Sequence, residues 1–236
     1  MPFYKPVETA RAFRIGKPYY KIDWNNFREV LNEFHGRIDD WYIKPAKELG
    51  KNGDFAFPVM AIDCMLIDTL SQYYYGAGQS PNEKESSFPS SSRSKFKDFL
   101  KERLPQLTGP LPTPIQQPPM GKKKTGDPLN NFEDVLYSGF RCGILHQSHI
   151  PLYGVIYGIP TALEFRANGA TTYADGKDCP TVICFPQKLL DELETAFIKY
   201  LDDLWDANPA FDDLRRRFKA KFEDSFGVTI NTTIKP

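Results

Sequence analysis

Trp24, Phe27, Leu31, Phe34, Ile38, Trp41 and Tyr42 follow one another by threes and fours, the spacing that gathers apolar side chains on one face of a helix. Asp23 suits the N-cap of that helix, and Pro45 is expected to bend or end it. Gly50 and Asn52-Gly53 mark a turn, after which Asp54 should cap a second helix running to about Tyr75, with Pro58 in its tolerated first turn. Val59 to Leu70 is apolar nearly all round, which suits the centre of a bundle or a subunit interface. Phe96, Phe99, Leu100 and Leu104 predict a short helix. A longer one follows, in which Phe132, Val135, Leu136, Phe140, Ile144 and Leu145 recur at helical spacing. Asn130 is its expected N-cap, and Glu133 is placed to complete a capping box.

After His149 the period shortens. Leu152 to Tyr157, Thr161 to Phe165 and Thr181 to Phe185 read as short strands, separated by Gly158-Ile-Pro160, Asn168-Gly169 and Asp175-Gly176 as turns. Helical spacing returns after Pro186 (Leu189, Leu190, Leu193, Phe197, Tyr200, Leu201, Leu204) and again after Asn208-Pro209 (Phe211, Leu214, Phe218, Phe222). The prediction is a mainly α fold. Residues 22–227 form one helical domain, with a small β-hairpin or meander inserted at about 151–185. An N-terminal arm (1–21) precedes it and a tail (228–236) follows. Flexible insertions are expected at 76–94, rich in Ser, Gly and Pro, and at 105–129, where six prolines fall between Pro105 and Met120.

Composition narrows the choice of function. A hydrophobic fraction of 41% over 236 residues supports a folded core. Thirty acidic and thirty basic side chains cancel, so any attraction to nucleic acid must be local. No apolar run is long enough for a membrane span and the first residues lack a signal-peptide core, so the expected address is the cytoplasm. Cys64, Cys142, Cys179 and Cys184 form no CxxC pair, and reduced thiols with no metal and no cofactor are expected. Lys122 to Lys124 lie in a Pro/Gly loop without the glycine spacing of a P-loop. Arg215, Arg216, Arg217, Lys219 and Lys221 oppose Leu214, Phe218 and Phe222, the pattern of a solvated face.

Candidate chemistry concentrates in Arg141-Cys-Gly-Ile-Leu-His146 at the foot of an apolar helix. On an ideal helix these two ends stand about 140° apart, so regular geometry alone does not pair them. They could converge if the helix loosens near Gly143 or ends at His146, or if a symmetry mate supplies the second copy. Otherwise Arg141 ties down a helix end and His146 complements the helix C-terminus. At these residues the sequence resembles the HEPN superfamily, whose signature is an arginine, four to six intervening residues and a histidine at the end of a bundle helix. It departs from many active members at Cys142, where a polar residue, often asparagine, follows the arginine.

The resemblance implies a HEPN-like helical bundle acting as a homodimer. It implies metal-independent RNA cleavage by 2′-hydroxyl attack, leaving a 2′,3′-cyclic phosphate, in host-defence or toxin systems, with an antitoxin or regulatory protein as a further partner. Arg141 would hold the scissile phosphate and His146 would move the proton. Tyr137, one turn before Arg141, would stack on a base or fill the core, and Gln147 would support the site. The alternative is a non-catalytic HEPN-like module for dimerisation or protein binding. Asp63 and Asp68 interrupt the most apolar helix. Asp68 is placed to orient Arg141 or His146, or else shares one wet stripe with Asp63, Thr69, Ser71 and Gln72; for Asp63 the wet stripe is the expectation.

Overall fold

The computed structural model describes residues 12–76, 92–117, 127–158, 160–172 and 178–234. It opens on a hairpin, β1 (Ala12–Arg14) with β2 (Lys17–Pro18), turned at Gly16 with φ of 74°. Residues 12–21, the described part of the arm, are pinned to the body: Phe13 is fully buried among Tyr19, Trp24, Phe222 and Phe226. The first helix, α1 (Phe27–Ile38), starts later than expected. Asn26, not Asp23, caps it by accepting from the backbone N–H of Glu29. Pro45 does not end the helical path, because Asp39–Ile43 widens into a π-turn in which Lys44 N–H reaches the Asp39 carbonyl, five residues back. The proline then falls in the first turn of α2 (Lys44–Gly50), where its missing N–H costs little.

Asp54 is likewise displaced as a cap. Asn52 caps a 3-10 turn (Gly53–Phe55), and α3 (Ala56–Tyr75) follows it directly, ending at Gly76 with φ of 82°. As its all-round apolarity implied, α3 is central. It packs against α2, α4 (Ser92–Arg103), α7 (Pro186–Trp205) and α8 (Asp212–Phe226). Phe34, Tyr73, Phe218 and Phe222 form the aromatic junction of α1, α3 and α8. One expectation for α3 fails outright: Asp63 is on no wet stripe but is fully buried.

Part of the proline-rich stretch is ordered. β3 (Pro110–Ile115) pairs antiparallel with β4 (Leu129–Asn131), so of the insertion expected at 105–129 only residues 118–126, Lys122–Lys124 among them, lie outside the described residues. Most of 76–94 also lies outside them. The β insertion is not a meander. β6 (Leu163–Thr172) and β7 (Asp178–Cys184) are antiparallel neighbours, but β5 (Gly154–Ile156) joins β7 in parallel, giving the order β5-β7-β6. Asn168-Gly169 is part of β6, not a turn; the register slips between Arg166 and Thr171 instead. Asp175-Gly176 lies outside the described residues.

On α8, Arg215 is not on a solvated face. It is buried and donates to the Asp206 and Asn208 carbonyls and the Asp212 carboxylate, while Arg216 and Arg217 reach Asp213. Ile230 of the tail is buried in the core. No helix among the described residues is long and apolar enough to cross a membrane.

Candidate functional site

The helix that carries Arg141 and His146 is not the single regular rod its apolar spacing suggests. Asn130 belongs to β4, and Asn131 stands at the N-cap without a side-chain capping bond, its amide donating to Asp134 instead. Glu133 completes no capping box either; it accepts from the backbone N–H of Gly109 and lies near Lys101. After one turn, α5 (Phe132–Val135), the backbone widens into a π-turn over Leu136–Arg141, with Cys142 N–H reaching the Tyr137 carbonyl. It tightens again as α6 (Cys142–Gln147). Wide turns of this kind shift the face that each following side chain presents.

The end of α6 is fixed by close backbone approach. Ser148 takes the left-handed conformation with φ of 54°, its N–H reaching the Ile144 carbonyl at 3.2 Å as in an αL cap, and His149 N–H returns to the Gly143 carbonyl at 3.2 Å. A β-carbon on Gly143 would lie 2.6 Å from the His149 carbonyl oxygen. Only glycine leaves room for that return. His146 therefore stands exposed in the last turn before a sharp reversal.

Arg141 is the hub. Its Nε and Nη2 each lie 2.8 Å from Oδ2 of Asp68 on α3, and its Nη1 lies 2.8 Å from Nε2 of His146. Nη1 also faces Cys142 Sγ at 3.8 Å, and the guanidinium carbon sits 5.4 Å from the Tyr137 ring centroid. The Arg141 and Asp68 side chains are each 16% exposed. Burial acts against the charge on Arg141, but hydrogen bonding and attraction from Asp68 outweigh it and hold the guanidinium pKa above its ordinary value. Burial also raises the Asp68 carboxyl, and the hydrogen bond and charge of Arg141 recover only part of that shift. Arginine donates and cannot accept, so in this contact His146 Nε2 is the acceptor, which assigns a neutral imidazole with its proton on Nδ1.

Of the residues singled out from sequence, Arg141, His146, Asp68 and Tyr137 meet here. Gln147 does not: it is exposed and its side chain bonds to no described residue, its carbonyl facing His149 Nδ1 at 3.4 Å. His35 packs edge-on against Phe197, away from this cluster. Asp63 takes no part, and neither of its oxygens has a hydrogen-bond partner among the described residues. The thiols of Cys64, Cys142, Cys179 and Cys184 are free, and no group of three metal-binding side chains occurs among the described residues.

The second layer was not anticipated. Arg93 and Lys97 of α4 reach Asp134 at 3.2 and 2.6 Å, Arg93 lies 5.9 Å from the Tyr137 ring centroid, and Phe96 packs edge-on against that ring. The signal was available, since Arg93, Lys97 and Lys101 recur every fourth residue, a cationic stripe on one helix face. Comparison with family models, curated proteins and solved structures finds no match to this chain. The chemistry must therefore be argued from these side chains. A guanidinium held by a carboxylate beside an exposed neutral imidazole can bind a phosphoryl oxygen and accept a proton next to it.

Proposed function

We propose that the protein is a metal-independent endoribonuclease of HEPN type. The observation that carries the reading is the 2.8 Å contact between Arg141 Nη1 and His146 Nε2 on an exposed helix end, with Asp68 behind the guanidinium. A phosphodiester entering the site draws Arg141 Nη1 onto its non-bridging oxygen and frees the imidazole lone pair. His146 then takes the proton from the 2′-hydroxyl while the 2′-oxygen attacks phosphorus. The bond to the 5′-oxygen breaks, leaving a 2′,3′-cyclic phosphate and a 5′-hydroxyl that takes its proton from a second acid. The His146 of a second copy, in its protonated imidazolium form, would serve, which is the reason to expect a homodimer with both sites on one cleft. Arg141 offsets the charge that grows on the phosphoryl oxygens, and Asp68 is a positioning residue that keeps the fork aimed.

One feature favours the non-catalytic reading: a thiol, Cys142, faces Arg141 where many active HEPN proteins carry an amide. In that case the same bundle serves dimerisation or binding of a regulatory protein or antitoxin. Incubating varied RNAs with the wild type and with His146→Ala in EDTA separates the two. Cleavage by the wild type and a loss of roughly 10²- to 10⁴-fold in the variant support the nuclease. An inert wild type, or equal rates, leaves the interaction module.

A further inference from the structure

Tyr137 is shared by two cations. The guanidinium of Arg141 stands 5.4 Å from its centroid and that of Arg93 stands 5.9 Å away. They are held very differently. Arg141 is 16% exposed and locked on Asp68, whereas Arg93 is 53% exposed and, among the described residues, held by one ion pair, 3.2 Å to Asp134. Asp134 does not depend on that contact. Lys97 sits closer, at 2.6 Å, and Asn131 donates to its other oxygen at 3.1 Å. Burial would raise the Asp134 carboxyl, but Lys97, then Asn131 and only then Arg93 bring it below its ordinary value. Arg93 is thus a cation the fold can release, poised over an aromatic ring that adjoins the candidate reaction centre.

We propose that Arg93 is a second phosphate contact and Tyr137 the stacking platform between it and Arg141, so that the site takes single-stranded RNA. The proposal rests on the nuclease reading and extends it to the form of the substrate. A base that stacks on Tyr137 displaces Arg93 from the ring, and the released guanidinium meets the phosphate on the far side of that base. A base inside a duplex is stacked on its neighbours and cannot reach the ring without unpairing, whereas an unpaired base can. Arginine and aromatic side chains alternating along a groove are the combination that tracks a single strand.

The test is fluorescence anisotropy with a labelled 2′-O-methyl oligonucleotide, which cannot be cut through its 2′-oxygen, offered to the full chain as a single strand and as a duplex of the same sequence. Tighter binding of the single strand is expected. Arg93→Gln should weaken it and reduce the slope of log affinity against log salt by about one, with an unchanged melting temperature because Lys97 still pairs with Asp134. Tyr137→Leu should weaken it by about 5- to 100-fold, with Tyr137→Phe close to wild type. Preference for the duplex, no binding of the single strand, an Arg93→Gln protein with wild-type affinity and slope, or equal losses in the Leu and Phe variants would each overturn the proposal. Failure of the nuclease reading looks different: an inert wild type that binds the single strand through Arg93 and Tyr137 retains this surface and loses only the catalysis. An active enzyme indifferent to Arg93→Gln does the reverse.

Discussion

Asp63 and Asp68 stand five residues apart on α3, one sealed in the core with neither oxygen bonded to a described residue, the other beside Arg141 and 16% exposed. Burial, and after it the charge of Asp191, pushes the Asp63 carboxyl well above its ordinary range, which favours the neutral acid beside the buried thiols of Cys64 and Cys184. Burial raises Asp68 as well, but an arginine answers part of that cost, and the carboxylate oxygen takes both Nε and Nη2. The same side chain on the same helix is a plain liability at one turn and an anchor at the next. What separates them is whether another element delivers a donor. The π-turn at Leu136–Arg141 delivers one to Asp68; nothing among the described residues delivers one to Asp63.

The largest effect that bears on this contrast is expected at Asp68. Asp68→Asn removes the charge that aims the guanidinium, and misplacement on this scale costs about 10² in rate; it should appear in the turnover of RNA by a protein that still folds. Retained turnover would mean that Arg141 needs no anchor. Asp63→Leu should act in the opposite sense. Leucine branches at the same carbon as aspartate and leaves no unsatisfied polar atom, so chemical denaturation should report a gain of about 1–3 kcal/mol. A loss would reveal a partner for Asp63 that the fold does not display.

The pH dependence of that gain is a smaller and sharper test. A carboxyl raised in the folded state binds its proton more tightly there, so its stabilising contribution is complete below the unfolded value of 3.8. That contribution is lost as pH rises through the folded value. The advantage of Asp63→Leu over wild type should therefore grow from about pH 4 upward, by no more than about 1.4 kcal/mol per unit, and then level. An advantage that shrinks with rising pH would mean that Asp63 is folded as an anion.

Much of the helical framework was legible in the chain because it rests on local periodicity. The stripe from Trp24 to Tyr42 and the run from Leu189 to Leu204 correspond to α1 with its π-turn and to α7. The departures come from contacts between distant residues. Asp63 reads as wet because it is polar, yet α7 and β7 close over α3 from more than a hundred residues away. Parallel pairing of β5 with β7 is equally non-local and leaves no trace in alternation. The Arg141–His146 contact was only conditionally readable. It required the helix to loosen near Gly143 or to end at His146; the widening lies ahead of that span, at Leu136–Arg141, α6 runs regularly through Gly143, and the helix stops just past His146, at Ser148, where Gly143 admits the His149 carbonyl. Arg93 was missed because its role comes from what it faces, Tyr137 and Asp134, and not from its neighbours in sequence.

The central claim is that Arg141 and His146 act on a 2′-hydroxyl, and it is met most directly by one substrate substitution. An RNA cleaved by the wild type is compared with the same RNA bearing a single 2′-deoxy sugar at the cleaved position, with mass spectrometry of the product ends. Attack by the 2′-oxygen predicts a 2′,3′-cyclic phosphate from the first RNA and no cut at that position in the second. Cutting of the deoxy-substituted strand at the same place and rate would contradict it.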